Sequence, residues 1–150
     1  MRHADNSDLL TPSLQDDSAA AVYSVGALIA AAFFGGGIAV VMMGTLNAQR
    51  LSRLGRDSIW LILMLLLSIG AVVFAIELDV SESGRSLRAV VSRGLGFALC
   101  GVLYVMHRRA FKAMTVLGLD PPSPYKPVIV ACIMSFAVTS VIIRLMGMDL

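Results

Sequence analysis

The sequence has little charge, few cysteines and no recognisable reaction centre. Charged residues make up 15% of the 150 residues and hydrophobic residues 57%, whereas an ordinary soluble domain is about 25% charged. This imbalance excludes a typical soluble protein. The two cysteines lie far apart, with no C-x-x-C pair and no histidine at ligand spacing, so no metal site is predicted.

Other chemical features are also missing. The net charge of +2 and the short basic patches argue against a nucleic-acid partner. The sequence has no nucleophile at a recognisable spacing from a base, no cofactor motif, and no aspartate or glutamate near the middle of an apolar run. We therefore expect a protein that is not an enzyme, binds no cofactor and lacks the usual proton carrier of a pump. A thiol enzyme that uses Cys100 and Cys132 is kept as a third alternative.

Long apolar runs are what the sequence does contain, at residues 19–46, 59–76, 89–106 and 128–146. A helix needs about 20 residues to cross a bilayer, and none of these runs alternates as a barrel strand does. The pattern predicts an all-α integral membrane four-helix bundle, built from two helical hairpins, over residues 19–150. Residues 1–18 contain several aspartates and predict a polar, disordered tail that faces outward.

The cationic residues predict the orientation of the bundle. They concentrate in the first and third loops, with a basic rim at Arg50, Arg53, Arg56, Arg108, Arg109 and Lys112. Loops rich in lysine and arginine remain cytoplasmic, and such a rim attracts anionic lipids of the bilayer. We therefore expect both termini to face outward from a bacterial inner membrane.

The stretch FFGGGIAVVMMGTLNAQRLSRLGRD, residues 33–57, combines three glycines with a basic ending. It lacks the lysine and following serine or threonine of a phosphate-binding loop. Small residues at helical spacing predict close helix packing, with candidates at Ala27, Ala31, Gly35, Gly36, Gly37 and Gly44. The alternative is a local opening of the helix at the glycines, as in the broken helices that line binding sites in transporters. The spacing favours packing.

A few polar side chains inside or beside the runs are candidates for function. Arg93 and Arg144 lie within the outer ends of their runs, and Glu77 is a possible partner. They predict either an outward-facing anion or ligand pocket, or structural ion pairing and snorkelling, which we favour. His107, beside two arginines, is interpreted as a solvated or lipid-facing group.

The last run carries Cys132, Ser135 and Thr139 on one stripe. Hydroxyl groups at such positions can form hydrogen bonds between membrane helices, worth about 0.6 kcal/mol each. We predict that role for them, with a permeation path as the alternative.

The same glycine stretch resembles a family of small bacterial four-helix membrane proteins that have no assigned activity. In that family a Phe-x-Gly-Gly-Pro start and an Asn-x-x-Arg-x-x-x-Leu-Gly ending bracket the first helix. Here Phe34, Gly35 and Gly36 match the start, and the ending is matched at Asn47, Arg50, Leu54 and Gly55. Gly37 replaces the proline. The resemblance implies a four-helix membrane fold and brings no activity.

The function predicted from these features is interaction within the membrane. We expect a multi-pass protein that acts by helix association, either as a homo-oligomer or with a larger membrane partner. The alternative is a small oligomeric transporter or channel with outward-facing arginines.

Overall fold

The computed structural model describes residues 22–77, 84–118 and 120–146, and the regular structure in this part of the chain is helical. It consists of α1 (Val25–Arg50), α2 (Leu54–Glu77), α3 (Gly84–Leu117) and α4 (Tyr125–Leu145). By total length and composition, each of the four segments could cross a membrane. The predicted all-α membrane bundle is therefore confirmed, and the chain is a multi-pass membrane protein. The predicted tail, residues 1–18, lies outside the described residues.

Helix α1 does not run straight but folds back on itself at Gly36. This residue has φ 67° and ψ −158°, far from helical values. The backbone N–H of Tyr23 donates a hydrogen bond to Asn47 Oδ1 at 2.8 Å, across 24 positions. A straight helix would separate those positions by about 36 Å. Two antiparallel arms, residues 25–35 and 37–50, therefore form what we call the α1 hairpin.

The glycine triplet leaves room for three other helices to pack closely against the turn. A Cβ atom at Gly36 would collide with the Ser92 hydroxyl, and the positive φ there favours glycine in any case. A Cβ at Gly37 would lie 2.7 Å from Ser68 Oγ, and one at Gly35 would lie 3.2 Å from Cys132 Sγ. Close packing and a break in the helix, treated as alternatives in the sequence, occur together here.

The α1 hairpin is the centre of the bundle. It contacts α2, α3 and α4, while α2 also packs on α3. Helix α4 follows α3 in the chain but rests mainly on α1, with a small contact to α2; no contact joins α3 and α4 within the described ranges. The α1 hairpin thus lies between the α2–α3 pair on one side and α4 on the other.

The direction of α4 follows from its neighbours. Pro124, at its start, lines a cavity together with Ser24, near the start of α1. Ile143, near its end, packs with Ile38, two positions beyond the turn at Gly36, and with Val72. The described chain therefore begins at Val22 at one end of the bundle and finishes at the opposite end.

These positions correct one prediction. The run at residues 19–46 was expected to cross once, but the α1 hairpin returns to the end from which it started because of the reversal at Gly36. The two ends of the described chain, Val22 and Met146, consequently lie at opposite ends of the bundle. The outward orientation of both termini stays a prediction, because residues 1–21 and 147–150 lie outside the described residues.

Candidate ligand site at the apex of the α1 hairpin

The turn of the α1 hairpin borders a cavity of about 360 Å³ to which all four helices contribute. Its polar lining comes from α3 and α4, through the side chains of Ser92, Arg93, Ser135 and Thr139. Phe34 and Phe136 supply aromatic walls. The cavity therefore offers one cationic group and several hydroxyls next to apolar surface.

The backbone at the apex is rich in polar groups because two helical arms end there. The last carbonyls of the first arm and the first N–H groups of the second arm lack partners within their own arm. Ser135 Oγ donates a hydrogen bond to the Gly35 carbonyl at 2.6 Å, which satisfies one of these groups from α4. The second arm also directs the positive end of its dipole toward the apex.

Arg93 brings the formal positive charge to this site. Its guanidinium carbon lies 5.3 Å from the centroid of the Phe33 ring, a distance suited to a cation–π contact. Glu77 and Arg144 are exposed near the ends of α2 and α4. Among the described residues, neither forms an ion pair with Arg93, and only Arg93 of the three lines the cavity.

The two hydroxyl groups on α4 form hydrogen bonds with different helices. Ser135 bonds α1, as described above, whereas Thr139 Oγ1 donates to the Ser135 carbonyl of its own helix at 2.9 Å. Cys132 lies so close to Gly35 that a Cβ atom on the glycine would be 3.2 Å from its Sγ and 3.3 Å from its Cα. Both this cysteine and Cys100 carry free thiols.

The other predicted packing residues lie along the arms of the α1 hairpin. Ala27 and Ala31, on the first arm, are 2% and 0% exposed. A Cβ atom at Gly44, on the second arm, would lie 2.7 Å from Leu103 of α3 and 3.3 Å from Leu61 of α2. Small side chains thus stand where the second arm meets two helices at once.

The base of the α1 hairpin holds a buried polar cluster that the sequence did not reveal. His107, on α3, is 0% exposed, and its Nε2 atom lies 3.3 Å from Asp57 Oδ2 at the start of α2. Asn47 is also 0% exposed, and its Nδ2 atom and His107 Nδ1 have no hydrogen-bond partner among the residues that the structure describes. The interpretation of His107 as solvated or lipid-facing is therefore wrong.

The physical reason lies in the spacing along α3. Leu103, His107 and Phe111 follow each other at intervals of four and are all buried, so they share the helix face that packs on the α1 hairpin. The signal was present as a histidine within an apolar i, i+4 stripe. The neighbouring arginines obscured it because they suggested a solvated end.

Tyr23 also joins the two arms at the base of the α1 hairpin, the end opposite Gly36. Besides its backbone bond to Asn47, its hydroxyl accepts a hydrogen bond of 3.0 Å from Arg50 Nη2, and the Arg50 guanidinium lies 4.5 Å above the ring centroid. Arg50 therefore has a structural contact as well as a place in the predicted rim. The remaining rim residues at this end are exposed or, for Arg53, half-buried.

The described side chains give no sign of a metal centre, since they contain no group of three histidine, cysteine, aspartate or glutamate residues placed to hold an ion. Comparison of the chain with protein-family models, curated proteins and solved structures finds no match. The resemblance drawn from the glycine stretch stays a prediction.

Proposed function

We propose that this protein is a small transporter or channel that binds an organic anion at the apex of the α1 hairpin. The observation that supports it is the folded-back helix itself, because its turn meets a cavity that contains Arg93. Non-helical backbone at membrane depth is tolerated where it is buried in protein or lines a cavity. Broken helices whose arms end at a substrate site are a recurrent design of transporters.

The chemistry of the lining suggests the kind of anion. A guanidinium and hydroxyl groups suit a carboxylate, and the aromatic side chains of Phe34 and Phe136 suit an apolar body attached to it. A monocarboxylate with a small ring or short chain fits both requirements and the volume of about 360 Å³.

The proposed setting is a bacterial inner membrane with the basic rim in the cytoplasm. Arginine and lysine residues near Arg50, at the ends of α1 and α3 and the start of α2, mark this face. The chain then enters the bundle from the cytoplasm and leaves it on the outside. Anionic lipids would gather at the rim, each well-placed cation contributing about 1 kcal/mol.

Flux through proteoliposomes tests the proposal. Wild-type protein should release trapped benzoate, and Arg93→Gln should slow release by about tenfold or more, since a lost charge-assisted hydrogen bond is worth about 1.5–3 kcal/mol. Arg144→Gln is the matched control, because Arg144 is also an exposed arginine, near the end of α4, and it does not line the cavity. No release from wild type, or equal release from Arg93→Gln, would contradict the proposal. Parallel runs with chloride and phosphate define the size of anion accepted.

A second candidate function, self-association, is favoured by the exposed face between α1 and α4. A groove of about 610 Å³ has Gly26 and Ala30 on one side and Ile129 and Ile133 on the other. Two copies related by a two-fold axis could each lay their isoleucines over the small residues of the other. A second copy is therefore the proposed occupant.

The mass of the protein in detergent tests this candidate. We expect a dimer that Gly26→Leu converts to a monomer, because leucine would fill the floor of the groove. Gly70→Leu, at a position with open space around it on α2, is the control and should remain dimeric. A wild-type protein that is strictly monomeric and carries no other protein would refute the association. Neither candidate function requires a catalytic centre, and we propose a non-enzymatic role.

A further inference from the structure

We infer that Phe33 is a positioning residue that makes the apex cavity selective for carboxylates over halide ions, and that it acts through Arg93. Its ring holds the guanidinium beside the cavity without using the N–H groups, which stay available for an anion. The inference rests on the proposed function, because it concerns the anion bound at the apex. It goes further in naming a residue outside the cavity lining that sets which anion is preferred.

The backbone of α3 is held against the first arm of the α1 hairpin next to these two residues. A Cβ atom at Gly96 would lie 3.0 Å from the carbonyl carbon of Gly36 and 3.2 Å from the carbonyl oxygen of Ala32. Because Gly96 has no Cβ, the two backbones can approach this closely. Phe33 comes directly after Ala32. Arg93 lies about one turn before Gly96, so this backbone contact brings the two side chains together.

The Phe33 ring then fixes the charged end of Arg93. The guanidinium carbon lies over the ring, 5.3 Å from its centroid, within the range of a cation–π contact. The ring is itself held by Phe34, since the two rings meet edge to face with their centroids 5.1 Å apart and their planes at 85°, a favoured arrangement of aromatic pairs. Phe34 lines the cavity and Phe33 does not. The ring therefore supports the guanidinium from outside the cavity.

An aromatic ring holds an arginine in a way that an acidic partner would not. A carboxylate would neutralise the charge and occupy N–H groups of the guanidinium, whereas the face of a phenylalanine ring attracts the charge and leaves those donors unused. Among the described residues, no carboxylate lies within ion-pair distance of Arg93. Within this part of the chain, Arg93 thus combines a fixed position with a full charge and an unused fork of donors.

The unused fork favours planar oxyanions. Guanidinium presents parallel N–H groups that match the two oxygens of a carboxylate, so two charge-assisted hydrogen bonds form together. A halide ion is a single sphere, and it gains the charge attraction without this match. The match depends on the orientation of the guanidinium, which the long arginine side chain does not hold by itself because it has many rotamers. Loss of the aromatic face of Phe33 should therefore weaken carboxylate binding more than halide binding.

Fluorination of the ring tests the inference, because Phe33→trifluorophenylalanine weakens the negative face of the ring and nearly preserves its shape. Benzoate affinity is measured by titration calorimetry on the whole protein in lipid nanodiscs, and chloride affinity by competition with benzoate. We expect benzoate affinity to fall about two- to fivefold, since an exposed cation–π contact is worth about 0.5–1 kcal/mol. Chloride affinity should change less. An unchanged benzoate affinity, or an equal loss for benzoate and chloride, would overturn the inference.

Phe74 provides the matched control. It is an exposed phenylalanine of α2 that does not line the cavity, so Phe74→trifluorophenylalanine should leave both affinities unchanged. An equal loss of benzoate affinity from either fluorinated residue would show that the effect does not come from the contact with Arg93.

Two natural substitutions add a readout that a merely structural role would not move. Phe33→Leu should lower benzoate affinity as fluorination does, and Phe33→Tyr, which restores an aromatic face, should return it toward the wild-type value. Equal benzoate affinities of these two variants would contradict the cation–π contact. Arg93→Lys keeps the charge but replaces the fork with a single ammonium group, so it should lose the preference for benzoate over chloride. A wild-type preference in Arg93→Lys would overturn the role of the fork.

The behaviour of the wild type separates this inference from the proposed function. Wild-type protein that neither binds nor releases benzoate would remove both. Benzoate release by the wild type, together with an unchanged preference for benzoate over chloride in the Phe33 variants, would keep the proposed function and remove the inference.

Discussion

The backbone N–H of Tyr23 and the side-chain oxygen of Asn47 are 2.8 Å apart although 24 positions of one helical segment separate them. This hydrogen bond closes the base of the α1 hairpin. It joins the backbone at the start of the first arm to a side chain near the end of the second. The contact implies that both ends of the α1 hairpin lie on the same side of the membrane, which can be tested directly.

Topology can be measured with reporters that are active in one compartment. We expect a reporter on the N-terminus and one inserted after Ser52 to be active on the same side, because the α1 hairpin returns to the end where it began. A reporter on the C-terminus should be active on the other side. If the N-terminal and C-terminal reporters share a compartment, the fold-back in the membrane is refuted.

Substitution of Gly36 should destabilise the bundle strongly. Gly36→Ala forces a side chain into a backbone conformation that essentially only glycine adopts, at about 1–3 kcal/mol, and drives its Cβ into the Ser92 hydroxyl. Gly70→Ala is the control, because its Cβ would meet open space within α2 and alanine favours helix by up to about 1 kcal/mol. Unfolding in mixed detergents measures both. Equal stability of Gly36→Ala and wild type would contradict the strained turn.

The hydroxyl of Ser135 should contribute to stability because it bonds a carbonyl freed by the turn. Ser135→Ala is expected to lower the unfolding free energy by about 0.6–1.7 kcal/mol. Thr115→Val removes a hydroxyl that donates to a carbonyl of its own helix, so it should cost little and serves as the control. If the two variants lose the same stability, the bond to Gly35 has no special role.

Asp57 and His107 should behave as a coupled pair. Asp57→Leu or His107→Leu alone leaves a buried polar partner unsatisfied, which costs about 1–3 kcal/mol. The double variant replaces both groups with apolar side chains and should lose less than the sum of the single variants. A double-mutant cycle of unfolding free energies checks this. Additive losses would show that the two side chains do not interact.

The sequence predicts the helices well because hydropathy is a local property. The observed α2 and α4 cover most of the predicted runs at residues 59–76 and 128–146. The run at residues 19–46 is also helical from Val25 onward, but hydropathy has no information about the direction of a helix. Two arms that descend and return are as apolar as one crossing helix. Only a contact between distant positions, such as Tyr23 with Asn47, distinguishes the two.

Part of the candidate site could also be predicted from local features of the sequence. Arg93 and the glycine triplet were recognised separately, since an arginine in an apolar run and three successive glycines are local anomalies. Their meeting at one cavity depends on how α3 packs against the turn. His107 was missed because its burial depends on the α1 hairpin, which itself depends on a single backbone conformation at Gly36.

The central place of the α1 hairpin has a consequence for biosynthesis. Arms of 25–35 and 37–50 are about 16 and 21 Å long, so neither reaches across a hydrocarbon layer of about 30 Å. Such a segment cannot anchor itself as it leaves the ribosome, and its polar turn has no partner until Ser92 and Ser135 arrive. The α1 hairpin is synthesised before α2, α3 and α4, yet it is the last of the four to settle, after the other helices have been inserted around it.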